Sequence, residues 1–84
     1  MVIMVDNSYK ITKQLDATGL TCPEPVMLLH KVMREIEKGD CVEVIATDPS
    51  TQRDIPKFCQ FLDHRLLRQE VEQDRFIFHL RKGG

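Results

Sequence analysis

The spacing of apolar residues predicts the order of secondary-structure elements along the first half of this chain. Alternate positions from Ile11 to Ala17 are mostly apolar, which is the period of a strand, and Gly19 ends that strand. Farther on, apolar residues recur every three or four positions, which is the period of an amphipathic helix. This stripe consists of Val26, Leu28, Leu29, Val32, Met33 and Ile36. Gly39 and the preceding Lys38 are typical of a helix C-terminus.

The middle of the chain predicts a second strand and a second amphipathic helix. The strand covers residues 41–47, and its apolar face is formed by Val42, Val44 and Ala46. The helix has an apolar stripe formed by Ile55, Phe58, Cys59 and Leu62. Thr51 and Asp54 have the spacing of a capping box at its start. Because Pro56 would then lie in the second turn, a regular helix that begins only at Asp54 is the alternative.

The last third of the chain predicts a β-hairpin. Leu66–Glu72 and Arg75–Lys82 are its strands, and Gln73-Asp74 lies near its turn. The element order is therefore β-α-β-α-β-β. One sheet with both helices on the same face would bury every apolar stripe. We predict an α/β (α+β) fold, a two-layer sandwich with a four-stranded mixed sheet, in which residues 11–84 form a single domain after a flexible N-terminal arm, residues 1–10.

Composition and charge narrow the class of protein. Hydrophobic residues make up 42% and charged residues 30% of the 84 residues, which excludes a disordered, collagenous or coiled-coil chain. The net charge of -1 lacks the basic excess of a free-standing nucleic-acid binder. The apolar opening Met1–Val5 is too short for a signal peptide or a membrane span. The three cysteines form no Cys-x-x-Cys pair, which favours a cytoplasmic protein with reduced thiols, no metal site and no cofactor.

The segment Cys22-Pro23-Glu24-Pro25 carries the candidate chemistry. With Cys22 at the N-cap of the first helix, Pro23 and Pro25 occupy the first and third helical positions, where a missing N–H costs nothing. The helix dipole favours thiolate at this end, and the Glu24 N–H can point at the sulfur, although the Glu24 carboxylate opposes the effect. We predict a nucleophilic thiol. The alternative is that Cys22 merely replaces Ser as a cap.

The other cysteines and the histidines offer little to a stand-alone enzyme. Cys59 falls in an apolar stripe and Cys41 opens a strand, so we interpret both as structural. His30 lies two helical turns beyond Cys22, which is a poor place for a base, and the sequence contains no phosphate loop or metal motif. A thiol without a dedicated base suits a carrier that receives a group from one protein and gives it to another.

Exposed residues near the thiol predict where partner proteins dock. Met27 falls outside the apolar stripe, with Lys31 and Arg34 on the polar side of the first helix. An exposed Met beside charged residues is typical of a docking surface. Arg53 and Lys57, at the start of the second helix, extend the predicted rim. The alternative is an ordinary solvated helix face.

Three segments of the chain resemble the TusA sulfur-carrier family, which includes the SirA-like proteins. They are Leu15–Pro25, which ends in Cys-Pro-Glu-Pro, Asp48–Cys59, which contains Asp-Pro and Arg-Asp-Ile-Pro, and the ending Ile77–Gly84. The resemblance spans residues 15–84 and implies the same two-layer fold. It also implies that Cys22 alone among the cysteines carries sulfur, as a persulfide.

The resemblance implies partners as well. An IscS-type cysteine desulfurase would supply the sulfur, and a TusBCD-type relay complex would receive it for 2-thiouridine synthesis at the tRNA wobble position. The carrier would be a monomer when free and would not contact the nucleic acid itself. Molybdenum-cofactor supply and sulfur oxidation, which other TusA-like proteins serve, stay open, as does a non-catalytic regulatory module.

Two further alternatives rest on other residues. The ending Gly83-Gly84 is similar to that of ubiquitin-like sulfur carriers, which use a C-terminal thiocarboxylate. The predicted order, with two helices and the hairpin last, disfavours that fold. A redox sensor with a Cys22–Cys59 disulfide is disfavoured because Cys59 is predicted to lie in the core, out of reach of Cys22.

Overall fold

The elements follow one another in the order that the sequence predicts. The structure is a computed structural model and describes residues 9–83. Its elements are β1 Ile11–Ala17, α1 Glu24–Glu35, β2 Cys41–Ala46, α2 Thr51–Leu62, β3 Arg65–Glu72 and β4 Arg75–Arg81. The predicted strand bounds hold to within one residue at each end. Most of the predicted N-terminal arm, residues 1–8, lies outside the described residues.

The four strands form one mixed sheet in the order β1-β2-β4-β3. β1 and β2 are parallel, whereas β4 is antiparallel to both of its neighbours. Val42 pairs with Leu80 and Val44 pairs with Phe78, so these four buried side chains share one face of the sheet. The predicted four-stranded mixed sheet is confirmed.

Both helices cover that same face of the sheet. The helical part of the core consists of Leu29, Met33 and Ile36 from α1, and of Ile55, Phe58 and Cys59 from α2. Each large apolar side chain buried there contributes roughly 1.5–3 kcal/mol to folding. The predicted two-layer sandwich is thus confirmed. Leu62 is wrongly predicted to be buried: it is 42% exposed, because α2 ends there and Asp63 turns the chain away into β3.

The start of α2 differs from both predictions. The helix begins at Thr51 rather than at Asp54, and its N-terminus has no capping box. The Thr51 hydroxyl donates to the main-chain oxygen of Asp48 (2.6 Å). The Asp48 carboxylate accepts the Ser50 N–H (3.1 Å) and the Ser50 hydroxyl (2.9 Å). Because Asp48 holds this turn, the Asp54 side chain is available for another contact.

Pro56 is accommodated inside α2 by a side chain from β3. A proline has no N–H for the carbonyl four residues earlier, which here is the carbonyl of Gln52. The Gln69 amide donates to that carbonyl instead, with an N···O distance of 3.2 Å. The Gln69 side chain therefore supplies the hydrogen bond that Pro56 cannot make, and it also attaches the helix to the sheet.

The parallel pairing of β1 and β2 decides where the Cys-Pro-Glu-Pro motif lies. The carboxyl ends of parallel neighbours meet at the same edge of a sheet, and each of these strands leads into a helix. The loops before α1 (residues 18–23) and before α2 (residues 47–50) are therefore neighbours. The Gly19 N–H joins them by donating to the Thr47 hydroxyl (2.8 Å).

Candidate functional site

The loop before α1 holds its shape through short-range polar contacts. The Asp16 carboxylate accepts the N–H and the hydroxyl of Thr18, at 3.0 and 2.7 Å. These two bonds lower the pKa of Asp16. Gly19 has a φ of 80°, a left-handed conformation that glycine adopts without the clash of a Cβ. The chain thereby turns sharply and places Cys22, an exposed residue, at the start of the helix.

Asp48 fixes the backbone of the cysteine itself. The Cys22 N–H donates to Asp48 Oδ2, with an N···O distance of 2.7 Å. The pKa of Asp48 is lowered first by the Ser50 N–H and next by this Cys22 N–H. The same carboxylate therefore anchors the loop before α1 and caps the turn before α2. The sequence identifies Asp48 only as the start of a segment with family resemblance, Asp48–Cys59, and does not predict this anchoring role.

The helix begins one residue later than predicted. Pro23, not Cys22, occupies the N-cap of α1, so Glu24 and the buried Pro25 are the first and second helical residues. The Cys22–Pro23 peptide bond is cis. The Glu24 N–H donates to the Thr21 carbonyl (2.9 Å), so the prediction that it points at the sulfur is wrong. The prolines still fall where a missing N–H costs nothing.

Asp54 controls the electrostatics of the sulfur. The Cys22 Sγ–H donates to Asp54 Oδ2 with an S···O distance of 3.4 Å, and Asp54 Oδ1 accepts Arg53 Nε at 3.2 Å. The bond to Asp54 raises the pKa of the Cys22 thiol, and partial desolvation and the charge of Asp48 add to it, against a lowering contribution from Ser50. The carboxylate of Asp54 therefore opposes the preference for thiolate that the helix dipole is expected to give.

An apolar groove of about 550 Å³ begins beside the thiol and runs between the two helices. We call it the thiol groove; it is lined by Pro23, Val26, His30, Asp54, Lys57, Phe58, Phe61 and Leu62. The His30 ring packs edge-on against Phe58, with 4.7 Å between ring centroids. Phe61 is 87% exposed although it is aromatic. An aromatic side chain this exposed, on the wall of an apolar groove, is typical of a surface that another molecule covers.

The predicted docking residues divide into two groups. Arg53 and Lys57 lie at this site, the former on Asp54 and the latter in the thiol groove. Met27 is 62% exposed as predicted, and Lys31 and Arg34 are exposed beside it on α1. These three do not line the thiol groove.

Sequence reasoning missed the most exposed apolar residue of the site. Phe61 falls outside the apolar stripe of the second helix, just as Met27 falls outside that of the first. That position is a signal that could have identified it. The sequence predicts that His30 is poorly placed to act as a base, and the structure places it on the wall of the thiol groove.

Cys41 and Cys59 are both buried and unpaired, and Cys59 lies in the core, as predicted. Burial raises the pKa of Cys59 to about 11. Within residues 9–83, no three His, Cys, Asp or Glu side chains are grouped closely enough to hold a metal ion. No helix in that part of the chain is long and apolar enough to cross a membrane.

A family model and two similar proteins all identify the same family. The family model described as Sulfurtransferase TusA matches residues 13–82. The Sulfur carrier protein TusA of Pseudomonas entomophila is 62% identical over 68 residues, which cover 81% of this chain and 85% of that protein. Its counterpart in Pseudomonas aeruginosa PAO1 is 52% identical over 75 residues, which cover 89% and 95%.

A solved structure shares the fold at low sequence identity. It is the crystal structure of a SirA-like protein from Desulfitobacterium hafniense, with a TM-score of 0.74 and 22% identity. The match covers 86% of this chain and 99% of the other. At this identity the likeness bears on the fold alone, and it agrees with the two-layer arrangement described above.

Proposed function

Because this chain belongs to the TusA sulfurtransferase family, we propose that it is a sulfur carrier that holds sulfur as a persulfide on Cys22. The observation that carries the proposal is the placement of this one thiol. Cys22 is exposed, its backbone is fixed by Asp48, and its hydrogen-bond partner Asp54 lines an apolar groove. Cys41 and Cys59 are buried, so a partner cannot reach either thiol.

The proposed chemistry is thiol exchange at sulfur, in two steps. The Cys22 thiolate attacks the terminal sulfur of a persulfide on a donor protein, a new S–S bond forms, and the donor cysteine leaves as a thiolate. A thiolate of the acceptor protein then attacks the terminal sulfur of the Cys22 persulfide. The terminal sulfur passes to the acceptor, and Cys22 leaves as a thiolate. Each step conserves electrons and needs no cofactor. What each step needs is an accessible sulfur and close docking of two proteins.

The thiol groove is the surface on which we propose that partners dock. Its wall offers Phe61, an aromatic anchor of the kind that dominates protein interfaces, and Lys57 at the rim. Met27, Lys31 and Arg34 extend the same proposed interface along α1. A donor and an acceptor that both bind there would each reach Cys22 without any movement of the core.

The proposed donor is an IscS-type cysteine desulfurase, and the proposed acceptor is a TusBCD-type relay complex. The sulfur would end in 2-thiouridine at the tRNA wobble position, and the carrier would work in the cytoplasm as a free monomer. The net charge of -1 supports a protein that does not touch the tRNA itself. The relatives named above, which carry the description of sulfur carriers, support the general role.

Mass spectrometry tests the proposed role directly. The protein is incubated with a cysteine desulfurase and free cysteine, and its intact mass and its peptides are measured. We expect a gain of about 32 Da, one sulfur, on the peptide that contains Cys22. Cys22→Ser should abolish the gain, whereas the matched control Cys41→Ser should keep it. Sulfur on the C-terminal glycine, or a gain that survives Cys22→Ser, would exclude the proposal.

A strain that lacks this protein tests the pathway. If the sulfur serves tRNA, the strain loses 2-thiouridine, the wild-type gene restores it and Cys22→Ser does not. Full restoration by Cys22→Ser would instead indicate a regulatory module. Unchanged 2-thiouridine in the deletion strain would assign the carrier to another sulfur pathway.

A further inference from the structure

The two oxygens of Asp54 have different partners, and this difference sets the protonation state of the Cys22 thiol. Oδ1 accepts the guanidinium N–H of Arg53 at 3.2 Å, and Oδ2 accepts the S–H of Cys22 at 3.4 Å. Loss of the thiol proton would leave a thiolate and a carboxylate oxygen at this separation with no donor between them. Two anions this close oppose each other's ionisation. The free protein therefore holds its thiol in the less reactive, protonated form.

The other charged groups around the sulfur do not compensate for Asp54. Asp48, from the loop before α2, adds a second negative charge and holds the Cys22 N–H. The first turn of α1 carries Glu24, a third carboxylate. Of the nearby cations, Arg53 is already bound to the other oxygen of Asp54, and Lys57 lies along the thiol groove. Among residues 9–83, only the Cys22 S–H donates to Asp54 Oδ2.

We propose that Asp54 holds Cys22 inactive in the free carrier, and that a partner protein activates the thiol by bringing a cationic side chain, Arg or Lys, against Asp54. This inference rests on the proposed function, since it concerns the same transfer reaction. On docking, the partner's cation becomes the donor to Oδ2 and the thiol proton passes to solvent. The resulting thiolate then attacks the terminal sulfur of the donor's persulfide, and the donor's cysteine leaves as a thiolate.

The position of Asp54 explains why such a partner must be cationic at this point. The side chain is 22% exposed and forms part of the wall of the thiol groove, beside the thiol. A protein that covers the groove removes the remaining water from this carboxylate. Burying a carboxylate without a matching donor is unfavourable, so a partner that covers the groove with apolar side chains alone would bind poorly. A cation at Asp54 serves both binding and activation.

Alkylation of the free protein tests the first half of the proposal and needs no carrier activity. Iodoacetamide modification of Cys22 is followed by mass spectrometry from about pH 6 to pH 10 in wild type and in Asp54→Asn. We expect Asp54→Asn to react faster at neutral pH, by about threefold for each unit by which the thiol pKa falls. The thiolate fraction grows tenfold per unit, while the intrinsic nucleophilicity declines.

The matched control is Asp63→Asn, which removes the same charge from the far end of the same helix. Asp63 has a left-handed φ of 64°, which Asn tolerates, so the fold is kept. This variant should alkylate at the wild-type rate. Equal rates for wild type and Asp54→Asn would overturn the proposal. If Asp54→Asn fails to fold, wild type is compared with a peptide of residues 20–27, whose thiol should react faster; a slower or equal peptide would overturn it.

Sulfur acceptance tests the second half. The rate at which a cysteine desulfurase with free cysteine loads Cys22 is measured for wild type and Asp54→Asn. We expect Asp54→Asn to load more slowly although it alkylates faster, because the variant has lost the contact that recruits the partner's cation. Loading that rises in step with alkylation would overturn the proposed activation by a partner. Absence of loading on wild-type Cys22 would contradict the proposed function and leave the alkylation result standing.

Discussion

Cys22 and Cys59 lie in two regions that suppress thiol ionisation in different ways. Cys59 is 3% exposed in the core, and burial alone raises its pKa to about 11. Cys22 is exposed, and its pKa is raised first by the hydrogen bond to Asp54. Suppression by burial ends only when the chain unfolds. Suppression by one half-buried carboxylate ends as soon as another donor reaches that carboxylate, so only the second kind is compatible with a regulated reaction.

The largest expected difference between the two regions is in reaction with a thiol reagent. We expect Ellman's reagent to modify one thiol, Cys22, in the native protein, and Cys41 and Cys59 at least about a hundredfold more slowly, since they react only after opening of the core. In denaturant all three should react alike. Two rapidly reacting thiols in the native protein would show that the core is more accessible than described, and Cys22→Ser identifies which thiol remains.

The comparison extends to the two phenylalanines of α2. Phe58 is 5% exposed in the core, whereas Phe61 is 87% exposed one turn later. We expect Phe58→Ala to lower the free energy of unfolding by about 3–5 kcal/mol and Phe61→Ala to change it by less than about 0.5 kcal/mol. Urea denaturation measures both. Phe61→Ala should instead slow loading by a desulfurase, and normal loading would remove Phe61 from the proposed interface.

The sequence predicts the hydrophobic core around Cys59 better than it predicts the site around Cys22. The alternation of Val42, Val44 and Ala46 and the helical stripes identify the sheet face, both helices and the burial of Cys59, because local periodicity reports which side of an element is buried. The motif around Cys22 identifies the thiol. Its chemical state is not predictable from the motif, because Asp54 is distant in sequence and only the parallel pairing of β1 and β2 brings it to the sulfur.

Contacts between residues distant in sequence also explain the error in the predicted start of α2. A capping box joining Thr51 and Asp54 is a local prediction, and the structure overrides it because the Asp54 side chain contacts Cys22 of the neighbouring loop. The Asp48 carboxylate instead accepts the N–H and the hydroxyl of Ser50, the residue that precedes α2. Local rules account for a residue whose partners are near in sequence. They fail where two loops compete for the same side chains.

Alkaline pH should weaken the core through Cys59. Its folded pKa is about 11, above the ordinary thiol value of 9.0. A raised folded pKa means that the thiol's contribution to stability is complete below the ordinary value and is lost as the pH rises toward 11. We expect the difference in unfolding free energy between wild type and Cys59→Ala to shrink over this range by about 1–2 kcal/mol, once screening by nearby water is allowed for. A constant difference in urea denaturation would mean that Cys59 ionises as freely in the folded chain as in the unfolded one.

The smallest effect is expected at acidic pH, from the anchor of the exposed thiol. The pKa of Asp48 is lowered by the Ser50 and Cys22 N–H groups, so its contribution to stability is present above the ordinary value of 3.8 and is lost as the pH falls through the lower folded value. Asp48→Asn should therefore be less stable than wild type at neutral pH and equally stable at strongly acidic pH in urea denaturation. If the gap for Asp48→Asn persists unchanged into acid, the carboxylate charge does not hold the loop, and the shape of the side chain alone positions Cys22.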